Sequence, residues 1–188
     1  MTRLAATPGQ TVGPFFHDAL PFVGDSELVP PGRADAIRLH GLVLDGAGDP
    51  VPDALVEVWQ AGPDGAVVQE PGSLHRDGWT FTGWGRSSTD GVGRYSFSTV
   101  APGATEAGSA AFFVITVFAR GLLDRLFTRA YLPGDPALSR DAWLNDIDPD
   151  RRRTLIAAAD TTGFTFDIHL QGDDETVFLT YPGHRQAD

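Results

Sequence analysis

The chain has 188 residues, a length that fits one domain with a sizeable hydrophobic core. It carries 25 acidic against 14 basic residues, and this net charge of −11 argues against nucleic acid or an anionic membrane as a partner. Because there is no cysteine, disulfides, thiolate metal sites and cysteine nucleophiles are excluded.

Residues 1–36 are rich in proline and glycine and show no regular hydrophobic period. They nevertheless contain Phe15, Phe16, Leu20 and Phe22, which are too apolar for a solvated tail. We therefore predict an irregular N-terminal arm that belongs to the same domain and packs either on it or on a partner.

From residue 37 onward the pattern is that of short strands separated by turns. Strands are predicted where apolar and polar residues alternate or where β-branched residues run together. The predicted strands are residues 37–44, 55–59, 112–118, 126–132 and 164–170, with another strand following a turn within 89–100. Residues 176–180 are a candidate partner for the strand at 164–170.

The helical signals are confined to one region between the later strands. Asp148 can cap a helix, Pro149 suits its first turn, and residues 151–159 are good helix formers. A shorter helix is predicted over residues 142–147. Together, the predicted strands and helices indicate a mostly-β chain. We predict a β-sandwich of mixed sheets with long loops and a small helical excursion.

Nothing in the sequence suggests export or a membrane. The N-terminus lacks the apolar core of a signal peptide, and the longest apolar run, residues 110–119, is too short to span a bilayer. We therefore expect a cytoplasmic protein that does not bind membranes.

One ordered set of motifs covers most of the chain. A hairpin ending in Val58-Trp59-Gln60-Ala61 is followed by Thr89-Asp90, then Pro102-Gly103, and then Tyr131-Leu132-Pro133-Gly134-Asp135. This set resembles the intradiol ring-cleavage dioxygenases, so that residues 37–188 are identified as an intradiol dioxygenase-like domain. Three further segments resemble the α subunits of the two-subunit members that act on protocatechuate (3,4-dihydroxybenzoate). They are residues 10–15, 118–121 and 166–178.

The resemblance implies a specific chemistry, which the residues of this chain do not match. Members of the family hold Fe(III) with two tyrosines and a His-x-His pair, and the hard ferric ion suits phenolate and imidazole ligands. The corresponding positions here are Val67, Thr105, Phe112 and Val114. None is a usual ligand, so we predict no metal and no catalytic residue in this chain, with Fe(III) bound by a homologous β subunit.

The resemblance also implies where such a chain contributes to the reaction. Thr11, Gly13, Pro14 and Phe15 of the arm, with Arg120, would form one wall of the β subunit's pocket for a small aromatic diol acid. Gly-Pro backbone can approach a flat ring closely, and Arg120 can attract a carboxylate. On residue types alone, Gly13-Pro14 is a turn and Arg120 is a surface arginine.

The resulting hypothesis is a non-iron-binding subunit of a large hetero-oligomeric oxidoreductase. With its β subunit it would cleave 3,4-dihydroxybenzoate with O2 to 3-carboxy-cis,cis-muconate, a step of aromatic catabolism in the β-ketoadipate pathway. This chain alone is expected to be inactive. Two alternatives stay open: a self-sufficient β-sandwich carrier of small molecules derived from a dioxygenase, and an inactive regulator that displaces the α subunit.

Overall fold

The computed structural model describes residue 13, residues 15–68 and residues 76–181. The helices are α1 (Phe16–Ala19), α2 (Ala142–Asn145) and α3 (Pro149–Arg152), with 3-10 turns at Pro136–Arg140 and Arg153–Leu155. The longer strands are β1 (Ile37–Leu44), β2 (Leu55–Trp59), β3 (Trp84–Ser88), β4 (Arg94–Thr99), β5 (Phe112–Phe118) and β6 (Leu126–Tyr131). Three short strands follow: β7 (Ala158–Ala159), β8 (Gly163–Thr165) and β9 (Ile168–His169).

These strands form two sheets packed face to face. One has the order β4-β1-β8-β7, with β9 also paired to β1, and the other has the order β3-β2-β5-β6. Because β8 and β9 run parallel to β1 while the remaining pairs are antiparallel, the first sheet is mixed. The predicted β-sandwich of mixed sheets with a small helical excursion is confirmed.

The core lies between the inner faces of the two sheets. Alternation along β5 buries Phe113, Ile115 and Val117 completely. They pack in one cluster with Leu39 and Tyr95 from the facing sheet. A second cluster lies on the outer face of the β3-β2-β5-β6 sheet, where Tyr131 packs against buried residues of the helical segment such as Leu144 and Leu155. Within the part of the chain described, no helix is long and apolar enough to cross a bilayer.

Several sequence predictions match the structure closely. The strands predicted at 37–44, 55–59 and 112–118 have the observed bounds. The strands predicted within 89–100 and at 126–132 contain Tyr95 and Tyr131, and both side chains are fully buried. Asp148 caps α3, since its side chain accepts a hydrogen bond from the backbone N–H of Asp150.

The predicted helix over residues 151–159 is wrong in its second half. After α3 and one 3-10 turn the chain becomes extended, because Ile156 bridges to Tyr131 and Ala158–Ala159 pairs with β8. Alanine favours a helix only weakly, and these tertiary hydrogen bonds outweigh that preference.

The strand predicted at 164–170 is interrupted. Between β8 and β9, the backbone carbonyl of Phe166 accepts a hydrogen bond from the Tyr95 hydroxyl at 2.5 Å, and the carboxylate of Asp167 accepts one from the Leu42 amide. Residues 176–180 form no strand, although the Thr176 amide donates to the His169 carbonyl. β3 was not predicted, since its sequence WGRSS is short and largely polar.

Candidate functional site

The predicted ligand positions on β5 lie on the outer face of their sheet. Phe112 and Val114 alternate with the buried Phe113 and Ile115, so their side chains share one face, as predicted. Phe112 lies opposite Tyr131 of β6, and the two ring centroids are 5.4 Å apart. Hydrocarbon therefore fills this part of the outer face.

Two of the four positions meet at one cleft. Thr105 and Phe112 both line an open cleft of about 400 Å³ between the β4–β5 connection, β6 and α2. Val114 is not part of its lining and pairs instead with Trp59. Val67 lies on the loop after β2 with 65% of its surface exposed. The structure thus brings Thr105 and Phe112 together but not all four residues.

An arginine that sequence reasoning missed dominates this cleft. The guanidinium carbon of Arg129 lies 4.2 Å from the ring centre of Phe112 and 4.9 Å from that of Trp143. Arg129 also donates a hydrogen bond to the Tyr131 hydroxyl at 3.1 Å. Burial raises the pKa of Tyr131, and the nearby Arg129 partly opposes this rise. One feature could have pointed to Arg129. It lies in the strand predicted at residues 126–132, and antiparallel pairing of that strand with β5 places it directly opposite Val114.

The residues around this cleft do not fit a ferric ion. Phe112 and Val114 offer no donor atom, Thr105 offers only a neutral hydroxyl, and Arg129 places a positive charge beside the Phe112 ring. Among the described residues, no group of three or more His, Cys, Asp or Glu side chains could hold a metal. His75 and His184 lie outside the described residues.

Arg120 lies at the opposite end of the same sheet. It follows β5, whose six strand steps of about 3.3 Å from Phe112 to Phe118 span roughly 20 Å. Its guanidinium forms an ion pair with Asp53, whose side chain is only 10% exposed, whereas that of Arg120 is 66% exposed. The exposed guanidinium lines an open recess together with Gln171 and Asp45.

The N-terminal arm is hydrogen-bonded to β3 near the end of the sheet where Arg120 lies. Leu55 pairs with both Ser88 and Phe118, so the ends of β3 and β5 are aligned there. The Ser88 hydroxyl donates to the carbonyl of His17 at 3.4 Å, and Arg86 donates to the carbonyl of Leu20 at 2.8 Å.

The arm residues predicted to form a pocket wall are only partly described. Gly13 has a φ of +87°, a left-handed conformation that favours glycine. Phe15 is 71% exposed, whereas its neighbour Phe16 is buried. Thr11 and Pro14 lie outside the described residues.

The chain is similar to known dioxygenases in both sequence and structure. The family model described as "Dioxygenase" matches residues 14–172. The α chain of protocatechuate 3,4-dioxygenase from Burkholderia cepacia is 34% identical, over 95% of this chain and 99% of its own. The β chain of that organism's enzyme is 36% identical, over 89% of this chain and 76% of its own.

A solved structure supports the same assignment. The dioxygenase domain of a dioxygenase carbohydrate-binding fusion from Streptomyces sp. SirexAA-E superposes with a TM-score of 0.59. It is 26% identical, and the match covers 89% of this chain and 99% of that domain. With a family match over most of its length and relatives above 30% identity, the chain belongs to the intradiol dioxygenase family.

Proposed function

We propose that this chain is the non-iron-binding α subunit of a protocatechuate 3,4-dioxygenase. It would assemble with a homologous β subunit that carries Fe(III) and cleaves 3,4-dihydroxybenzoate with O2 to 3-carboxy-cis,cis-muconate. The observation that carries the proposal is the replacement of all four family ligands, by Val67, Thr105, Phe112 and Val114.

Overall identity alone does not separate an α from a β subunit. The chain is 34% identical to an α chain and 36% identical to a β chain. Two differences favour the α assignment. The match spans 99% of that α chain but only 76% of the β chain, and the ligand positions here carry no ligating side chains.

In this proposal the chain contributes binding surface and leaves the redox chemistry to its partner. Arg120 would draw in the carboxylate of the substrate, since its guanidinium is mostly exposed and Asp53 fixes its position. Thr11, Gly13, Pro14 and Phe15 would complete the wall against the aromatic ring. The 71% exposure of the Phe15 side chain supports this role, because such a ring is available to a partner.

The direct test compares the purified chain alone with the chain co-expressed with a homologue that has two tyrosines and a His-x-His pair. We expect the pair to contain iron and to consume O2 with 3,4-dihydroxybenzoate, and the lone chain to do neither. Stoichiometric iron and turnover by the lone chain would refute the proposal. A lone chain that binds small molecules tightly and forms no complex would instead favour the carrier alternative.

The role of Arg120 has its own test in the assembled enzyme. We expect Arg120→Ala to raise the KM for 3,4-dihydroxybenzoate by about tenfold, as expected for one partly solvated charge-assisted hydrogen bond. Arg125→Ala is the matched control, since Arg125 is an exposed arginine on the same β5–β6 connection. An unchanged KM in Arg120→Ala would remove Arg120 from the pocket.

A further inference from the structure

The cleft beside Phe112 has the features of a binding site in its own right. It has a volume of about 400 Å³, within the range of small-molecule sites. Two arginines line it, Arg129 from β6 and Arg140 from the 3-10 turn before α2. It lies at the other end of β5 from Arg120, so it is separate from the surface assigned to the catalytic partner.

Arg129 is held in place without a carboxylate. The rings of Phe112 and Trp143 flank its guanidinium, and its one hydrogen bond goes to the Tyr131 hydroxyl. Its Nε atom is buried and has no hydrogen-bond partner among the described residues. Buried donors in native proteins are nearly always satisfied, so this Nε–H is a donor that an added acceptor could satisfy.

Arg140 is the second arginine of the cleft. It is exposed at the rim of the cleft and forms no ion pair or hydrogen bond within the described part of the chain.

The acidic residues of the lining form no ion pair with either arginine within the described part of the chain. Asp141 is buried, and its carboxylate accepts from the Leu144 amide at 2.9 Å, with the Tyr131 hydroxyl a further 3.5 Å contact. Glu106 is exposed and forms no ion pair with either arginine. The cleft is therefore lined by one exposed arginine, Arg140, and by Arg129, which is partly buried beside two aromatic rings.

We propose that this cleft binds a small carboxylate anion, with Arg129 and Arg140 as its two cationic contacts. A planar carboxylate matches the fork of a guanidinium, and the rings of Phe112 and Trp143 favour an anion that also carries an apolar body. The proposal depends only on residues of this chain and holds whether or not a catalytic partner is present.

The test titrates the full chain alone with benzoate and follows binding by calorimetry. Benzoate combines a carboxylate with a flat apolar ring and fits the volume of the cleft. We expect millimolar or tighter binding. Arg140→Gln should weaken it by about tenfold or more, because one charge-assisted hydrogen bond is lost.

Two further variants make the test specific to this cleft. Arg129→Lys keeps the charge but removes the planar fork, and we expect it to weaken binding as well. Arg125→Gln, which removes an exposed arginine at the other end of the β5–β6 pair from the cleft, should leave binding unchanged.

The outcomes separate this site from the proposed catalytic role. No binding at millimolar benzoate, or binding that Arg140→Gln and Arg129→Lys both leave unchanged, would overturn the proposal. Circular dichroism of each variant checks that the fold is kept. Failure here leaves the dioxygenase assignment untouched, because that assignment is tested by iron content and O2 uptake of the assembled pair.

Discussion

The hydrogen bond between Tyr95 of β4 and the carbonyl of Phe166, between β8 and β9, tests how the strands of the first sheet are held together. Tyr95 is 1% exposed, and its hydroxyl donates to Phe166 at 2.5 Å. Burial raises the pKa of Tyr95 well above its ordinary value, so the hydroxyl stays protonated and remains a donor. The substitution Tyr95→Phe removes only this donor and keeps the ring.

The expected loss follows from the burial of the bond. A buried carbonyl deprived of its donor costs about 1–3 kcal/mol, and we expect about 2 kcal/mol here because water has no access to the fully buried hydroxyl. For a chain of this length that loss lowers the Tm by about 4–8 °C. Urea unfolding followed by circular dichroism measures the free energy directly.

The matched control is Tyr181→Phe, the same chemical change at a residue that is 41% exposed. We expect it to lower the free energy of unfolding less than Tyr95→Phe does, because water can solvate a group that loses its partner at this exposed position. If Tyr95→Phe lowered the free energy of unfolding no more than the control does, the Phe166 carbonyl would have another donor. The Tyr95 hydroxyl would then not be what stabilises this part of the sheet.

Three further substitutions test other parts of the structure. Gly41→Ala should destabilise the fold more than Tyr95→Phe, because a Cβ at Gly41 would lie 2.0 Å from the Phe166 oxygen; thermal unfolding measures this. Asp160→Asn should lower the Tm at neutral pH, since hydrogen bonds from the Thr162 amide and then from His40 hold the pKa of Asp160 below its ordinary 3.8. A lowered folded-state pKa stabilises the fold above pH 3.8, so the difference from wild type should shrink as the pH falls through the folded-state pKa. Arg86→Met should speed hydrogen exchange at residues 18–20, because Arg86 ties the Leu20 carbonyl to Glu57; unchanged exchange there would mean that the arm is held by other contacts.

The sequence predicted the strands whose signal is local. Ile37–Leu44 and Phe112–Phe118 carry enough alternating or β-branched residues for their bounds to be read directly. β3 could not be found in this way, because Trp84–Ser88 forms a strand through its pairing with β2 and not through its own composition. The false helix at 156–159 has the same origin, since distant partners decide the backbone there.

The candidate site shows a similar division. The predicted replacement of the four family ligands depends only on the residues at those positions, and strand alternation alone places Phe112 and Val114 on one face. The cleft is not visible, because it depends on the packing of Trp143 and Arg140 from the helical segment against β6. Such contacts join residues far apart in the chain, and the hydrophobic periodicity of a single segment cannot predict them.

The position of Arg129 affects which ions could bind next to Phe112. Once a guanidinium lies between Phe112 and Trp143, replacing Phe112 and Val114 by histidines would not recreate a ferric centre, because a fixed positive charge opposes binding of a trivalent cation nearby. Arg129 would have to change as well. The rings of Phe112 and Trp143 hold this positive charge in place.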